Sequence, residues 1–228
     1  MFSTIILGAG KSTRMKANKS KLLFDIAGKP IITHIIDAVR QAKCSEIICV
    51  VNRESKDLVQ LLKEHKINIA FQKKSNGTAG AAEAGSKIIS SKNRKVLILC
   101  GDAPFVTTQS IKSMIKKISN ADACVGTVEL DIPKGYGRII RQGNKISEIV
   151  EERDSSIEQR SIREVNTGVI SISNSILNKY ISEIKNNNVK KEFYLTDIIK
   201  ILIRKNYKVN TFKFDDELEV TGVNSKVD

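Results

Sequence analysis

The 228-residue chain carries 38 lysines and arginines against 25 aspartates and glutamates, a net charge of +13, and only 5% of its residues are aromatic. That length fits one large domain with a full core, and no apolar run approaches the roughly 20 residues of a membrane span. The lysines are scattered and not interleaved with aromatics, so neither a nucleic-acid nor a membrane partner is expected; a drift toward Lys, Asn and Ile explains most of the charge.

In chain order, Ser3–Leu7 reads as a first strand, short and β-branched. Its apolar run, Ile5-Ile6-Leu7, is too short for a signal peptide, so a cytoplasmic location is expected. Pro30 then opens a helix over Ile31–Lys43, with Ile32, Ile35, Ile36 and Val39 at helical spacing. Ile47–Val51 is a strand, Lys56–Glu64 a helix, Ile67–Phe71 a strand and Thr78–Ser90 an alanine-rich helix. Val96–Cys100 is a strand ending at Gly101-Asp102, followed by a helix at Ser110–Ile118 and a strand at Asp122–Val128. Continuous apolar strands alternating with helices predict an α/β fold: a Rossmann-like, mostly parallel sheet with helices on both faces.

After residue 130 the pattern changes. Gly137–Arg141 and Lys145–Val150 flank Gln142-Gly143-Asn144, the signal of a β-hairpin. Ser155–Ser161 reads as a loop or short helix and Arg163–Ile172 as a strand. Ser175–Ile184 and Thr196–Arg204 read as helices and Tyr207–Phe214 as a late strand. No internal repeat of 20–50 residues appears. Cys44, Cys49, Cys100 and Cys124 show no CxxC spacing and are expected as small buried side chains, not as a metal site or disulfide frame.

The most informative stretch is Leu7-Gly8-Ala9-Gly10-Lys11-Ser12-Thr13-Arg14-Met15, with Lys21 beyond it. Glycines at 8 and 10 are expected to turn the backbone sharply and show N–H groups to an anion, with Lys11, Arg14 and Lys21 supplying charge. The spacing is not a Walker loop, since one residue separates Gly8 from Gly10. It is not the dinucleotide fingerprint either, because Thr13 stands where a third glycine is needed. A plain strand-to-helix turn with basic residues remains open from this stretch alone.

Ligands of open α/β sheets bind beyond the carboxyl ends of the strands, where further polar groups fall. Gln72 with Asn76-Gly77-Thr78 follows the third strand; it suits a planar base, or else Thr78 caps a helix. Asp102, in Gly101-Asp102-Ala103-Pro104, follows the fourth strand and offers a hard oxygen to magnesium beside a triphosphate, or caps the next turn. Asn224 near the C-terminus could add an amide oxygen.

Together these residues resemble the sugar nucleotidyltransferases, most closely the uridylyltransferase domains that act on N-acetylglucosamine 1-phosphate. The likeness spans the chain. It adds Gly135-Tyr136-Gly137-Arg138-Ile139, Ile149-Val150-Glu151, Asn166-Thr167-Gly168, Glu192 through Ile199 and Gly222-Val223-Asn224 to the motifs above.

The resemblance implies a nucleotide-diphospho-sugar transferase fold in one domain, 1–228, mainly nucleotide-binding over 1–105 and mainly sugar-phosphate-binding over 106–228, with the hairpin serving the sugar. It implies that Leu7, Gly8, Ala9, Gly10, Lys21, Cys100, Gly101 and Asp102 contact the nucleotide and that Gln72, Gly77 and Thr78 read uracil. Arg14 and Lys21 would neutralise phosphates as catalytic groups, with Asp102 and Asn224 holding Mg2+. Gly137, Glu151, Asn166 and Asn224 would form the sugar side. The implied reaction is in-line attack of the sugar phosphate on the α-phosphorus of UTP, giving UDP-N-acetylglucosamine and pyrophosphate without a protein nucleophile.

The family usually has Ala at Gly8, Gly at Ser12, Pro at Ser20, Tyr at Cys100 and Gly at Ala79, so altered affinity is expected. The β-helix of hexapeptide repeats that many members carry is absent, so neither acetyl transfer nor the trimer that helix builds is expected. Another sugar or nucleotide, or a non-catalytic nucleotide-sugar binder, are the alternatives the residues leave.

Overall fold

The computed structural model describes residues 1–10, 19–74, 76–90 and 94–223. Strand β1 (Phe2–Leu7) lies at the centre of a nine-stranded sheet. On one side it pairs in parallel with β4 (Glu46–Val51), which pairs in parallel with β5 (Asn68–Phe71). On the other side it pairs in parallel with β6 (Lys95–Cys100), in the register Leu7 to Cys100. The chain thus leaves β1 in one direction and returns to its opposite flank, so the strand order reverses at the β1/β6 boundary.

Beyond β6 the direction changes. Strand β10 (Glu164–Ser173) is antiparallel to both β6 and β7 (Ala123–Glu129), and β11 (Val209–Lys213) closes the edge parallel to β7. The expected hairpin is present as β8 (Arg138–Gln142) and β9 (Lys145–Val150), joined to β10 where Arg138 meets Val165.

Alternation along the strands feeds two cores. Ile6, Cys49, Leu97 and Leu99 face α1 (Ile31–Gln41), α2 (Lys56–Glu64) and α4 (Thr108–Lys117). Ile5, Ile48, Val50, Val96 and Ile98 face α3 (Thr78–Ser86), α6 (Asn174–Tyr180) and α7 (Asp197–Arg204). None of the described helices is long and apolar enough to cross a membrane.

Several elements differ from expectation. α3 stops at Ser86 instead of Ser90, because the chain tightens into i−3 bonds, Ile88 N–H to the Gly85 carbonyl and Ile89 N–H to that of Ser86. Thr78 is its first residue and not its cap, which is Gly77. α4 begins two residues early, because Thr107 Oγ1 accepts the Ser110 N–H at 3.1 Å. The Ser155–Ser161 stretch contains a one-turn helix, α5 (Ile157–Arg160), closed by a capping box between Ser156 and Gln159. A small hairpin, β2 (Asp25–Ile26) and β3 (Lys29–Pro30), is unanticipated; its turn puts Ala27 and Gly28 both at positive φ, and alanine there carries no turn signal. The four cysteines are free, as expected; Cys49 and Cys124 are buried, while Cys44 and Cys100 are half-buried.

Helix α3 approaches the sheet through small residues, Ala81, Ala82, Gly85 and Ser86, all buried. A Cβ on Gly85 would fall 2.7 Å from Ile5 Cγ2 and 3.1 Å from Val50 Cγ2, in fully buried surroundings. Gly85→Ala is expected to lose about 1–3 kcal/mol to overpacking. A urea unfolding curve with an unchanged midpoint would contradict so close an approach.

Candidate functional site

The glycine loop leaves β1 at the point where strand order reverses. Leu7 and Gly8 are sewn into both neighbours: the Gly101 N–H donates to the Leu7 carbonyl at 3.0 Å, and the Gly8 N–H donates to the Val50 carbonyl at 2.8 Å. The expectation that Gly8 shows its N–H to an anion is therefore corrected. Neither Gly8 nor Gly10 has a positive φ. Gly8 sits in a tight place: a Cβ there would lie 3.0 Å from Leu22 Cδ1 and 3.1 Å from the Val50 carbonyl, so the alanine common in the family would need a shift of a few tenths of an ångström. Ala9 is buried, and its carbonyl accepts a bond from Asn52 Nδ2, a contact with no signal in the sequence. Lys11, Ser12, Thr13 and Arg14, like Asn224, lie outside the described residues.

Lys21 opens a short 3-10 turn, Lys21–Leu23, whose N-cap Ser20 accepts the Leu22 N–H. Its ammonium is ion-paired with the Asp102 carboxylate, 81 residues away, and both side chains are largely withdrawn from solvent. Two groups from different strand ends are thus brought together, and the Asp102 carboxylate meets Lys21 instead of capping its own turn. Cys100 sits beside them, half-buried. Burial first, then the Asp102 and Glu151 charges, push its thiol up to about 12 against the opposing effect of Lys21. The thiol stays protonated at neutral pH and is a poor nucleophile.

A cavity of about 390 Å³ opens here, and Leu7, Thr78, Cys100, Asp102, Gly137, Glu151 and Asn166 all line it. Gln72, Gly77, Gly101 and Lys21 stand outside that lining. Gly137 precedes β8, and its carbonyl accepts the Asn166 N–H at 2.8 Å. A Cβ at Gly137 would lie 3.1 Å from Ile149 Cγ2 and 3.3 Å from Glu151 Oε1, a close approach that a side chain would crowd. Asn166 occupies the irregularity in the β10–β7 pairing, where its Oδ1 accepts the Gly168 N–H at 3.2 Å. Gly168 has φ +76° and leaves room for the Cys100 sulfur.

Glu151 follows β9, and its Oε1 accepts the Thr196 hydroxyl at 3.0 Å. Burial raises its pKa from the ordinary carboxylate range; the Thr196 bond and Lys190 oppose the rise, and Asp197 and Asp154 add to it.

The turn after β5 is a self-contained unit. Gln72 is buried, and its Nε2 donates to the Gly77 carbonyl at 3.0 Å and to Asn76 Oδ1 at 3.2 Å, leaving Oε1 uncommitted among the described residues of that turn. Gly77 has φ +113°, and a Cβ on it would fall 2.4 Å from the Phe193 carbonyl oxygen. The reason is a strap: Phe193 N–H donates to the Asn76 carbonyl, Ala79 N–H to that of Phe193, and Leu195 N–H to Thr78 Oγ1 at 2.9 Å. The strap's next residue, Thr196, reaches Glu151. Sequence reading finds the Glu192–Ile199 motif but not this function, because its contacts are mostly backbone.

This is the nucleotidyltransferase fold. Residues 4–137 match the MobA-like NTP transferase domain, and the chain belongs to that family. It is 36% identical over 225 residues to the bifunctional protein GlmU of Pseudoalteromonas atlantica, covering 99% of this chain and 49% of that protein. The GlmU of Acetivibrio thermocellus is 35% identical over 227 residues, covering 98% and 49%. The chain thus spans about half the length of the curated relatives it matches. Its fold is also similar to that of a Bacillus anthracis protein provisionally assigned as a glucose-1-phosphate thymidylyltransferase, in complex with sucrose. The TM-score is 0.78 at 20% identity, covering 100% of this chain and 92% of the other.

A carboxyl whose folded pKa lies above its unfolded value, about 4.3 for glutamate, costs stability as pH rises from the unfolded through the folded value. Glu151→Gln is therefore expected to raise the thermal midpoint at neutral pH, with the gain shrinking as the solution is acidified through the folded value toward the unfolded one. A gain of equal size across that range would contradict the burial of this charge.

Proposed function

We propose that the chain transfers UMP from UTP to N-acetylglucosamine 1-phosphate, releasing pyrophosphate and UDP-N-acetylglucosamine. The observation that carries this reading is one cavity that joins Gly137, Glu151 and Asn166 to Asp102, with Lys21 paired to that carboxylate. Glu151 accepts hydrogen bonds from sugar hydroxyls. Asn166, its Oδ1 already taken by Gly168, donates through its amide to the acetamido oxygen.

The base is read at Gln72. Because Nε2 is spent within the turn, Oε1 is placed to accept from the N3–H of uracil or thymine; cytosine has no N3–H and could offer only its 4-amino group, at a different position on the base edge. Gly77 and Thr78 hold that turn in place. Leu7, Gly8, Ala9, Gly10 and Gly101 carry the nucleotide side at the ends of β1 and β6, with Cys100 facing the cavity.

The sugar phosphate is already ionised at neutral pH, so no protein base is needed for its attack on the α-phosphorus. Its difficulty is charge. Two unit charges about 4 Å apart repel by roughly 4 kcal/mol at an effective dielectric of 20. Lys21 offsets part of that repulsion, and Arg14 belongs to the same task. Among the described residues Asp102 is the carboxylate at this strand end that would take magnesium, in exchange for its pairing with Lys21. Asp102 presents a carboxylate, and the Val223 N–H donates to the Asp102 carbonyl at 2.8 Å, which brings the chain neighbour of Asn224 to the same residue. An ion held by these two would take its remaining ligands from phosphate and water and would neutralise charge on the triphosphate.

A coupled pyrophosphate-release assay with UTP, dTTP and CTP against N-acetylglucosamine 1-phosphate tests the reading. Turnover is expected with UTP, dependent on magnesium and abolished by chelation, and absent with CTP. Asp102→Ala and Lys21→Ala should each lower kcat by about 100-fold or more, the size of a lost charge-stabilising group. No turnover with UTP, or native rates in both variants, would contradict it.

A further inference from the structure

We propose that the buried Arg138 and its partner Glu152 are positioning residues that fix the Tyr136–Gly137 peptide with its N–H aimed into the cavity, as a hydrogen-bond donor to an oxygen of the bound sugar phosphate. The inference rests on the functional reading above, in which this cavity receives that substrate.

Arg138 is only 2% exposed, although the chain has ample solvent-facing positions for a cation. Its guanidinium does not line the cavity. Nη1 donates to the Tyr136 carbonyl, while Nε and Nη2 donate to the Arg160 carbonyl at the end of α5, each at 3.4 Å. Nη2 also lies 3.9 Å from Glu152 Oε1, and the other oxygen of Glu152 accepts the Gly135 N–H. The pair therefore grips the 133–137 loop at two consecutive points, one carbonyl and one amide.

In a trans peptide the carbonyl and the N–H point in opposite directions. With the Tyr136 carbonyl drawn back to Arg138, the Gly137 N–H of the same peptide faces away from the guanidinium, toward the cavity that Gly137 lines. The Gly137 carbonyl is held separately by Asn166. Among the described residues the Gly137 N–H has no hydrogen-bond partner, which leaves it for a ligand. Gly135, at φ +90°, gives the loop the bend this arrangement needs. A fork-shaped guanidinium can serve two carbonyls and a carboxylate at once, whereas an ammonium cannot reach all three in one plane.

Steady-state kinetics of Arg138→Lys, Glu152→Ala and Glu152→Gln with UTP and N-acetylglucosamine 1-phosphate tests the proposal. In Arg138→Lys and Glu152→Ala, KM for the sugar phosphate should rise about tenfold, the worth of one misdirected hydrogen bond, while KM for UTP stays near native. Glu152→Gln keeps an oxygen for the Gly135 N–H and should recover most of the loss. A general loosening would move both KM values together. That result, or an unchanged sugar-phosphate KM in variants that melt like the native chain, overturns the inference. If Arg138→Lys does not fold, the two Glu152 variants decide by the same criteria. A native chain inactive with both substrates overturns the functional reading and this inference with it, and is told apart by the unsubstituted control.

Discussion

Parallel pairing of β6, β1, β4 and β5 is the constraint on which the rest depends. It brings their carboxyl ends to one edge of the sheet, and the reversal of strand order on either side of β1 opens a crevice there. Three segments of the site are attached to that edge. The glycine loop leaves β1, the Gln72 turn leaves β5, and Asp102 follows β6. The antiparallel strand β10 then carries Asn166 back toward the same crevice, with β8 and β9 hung on its side.

Two devices make these separate ends act as one site. The Lys21–Asp102 ion pair ties the segment after the glycine loop to the end of β6. The strap at 193–196 ties the Gln72 turn to Glu151, through backbone bonds at Asn76 and Ala79, the Thr78 hydroxyl and the Thr196 hydroxyl. Under the proposed function the site joins two polyanions, and such bracing resists the repulsion between them. The raised pKa of Glu151 is one cost of enclosing its carboxylate.

Much of the scaffold was legible in residue patterns, since a fully buried strand must be an apolar run and an amphipathic helix must repeat its apolar face. Pro30, for example, marks the start of α1 correctly. Direction was not legible for β10, because a strand buried on both faces has the same composition whether it runs parallel or antiparallel. The β2–β3 hairpin escaped because Ala27 takes a conformation usually given to Asn or Gly. At the site, the resemblance supplied residue names that the geometry then arranged. Asp102 and Lys21 meet, whereas the Gly8 N–H proves to be tied to the Val50 carbonyl. The use of Gln72 Nε2 inside its own turn, and the burial of Arg138, depend on contacts that no local pattern encodes.

The central claim is direct transfer within one crevice, with no covalent intermediate on the protein. Under the proposed function the acceptor is already ionised and can attack directly, and burial pushes the Cys100 thiol up to about 12, so that thiol is not a ready nucleophile. The stereochemical course with UTP carrying a chiral α-phosphorothioate tests this most directly. A single in-line displacement predicts inversion at phosphorus in the UDP-sugar product; retention would require two displacements through a protein-bound nucleotide and would contradict the account.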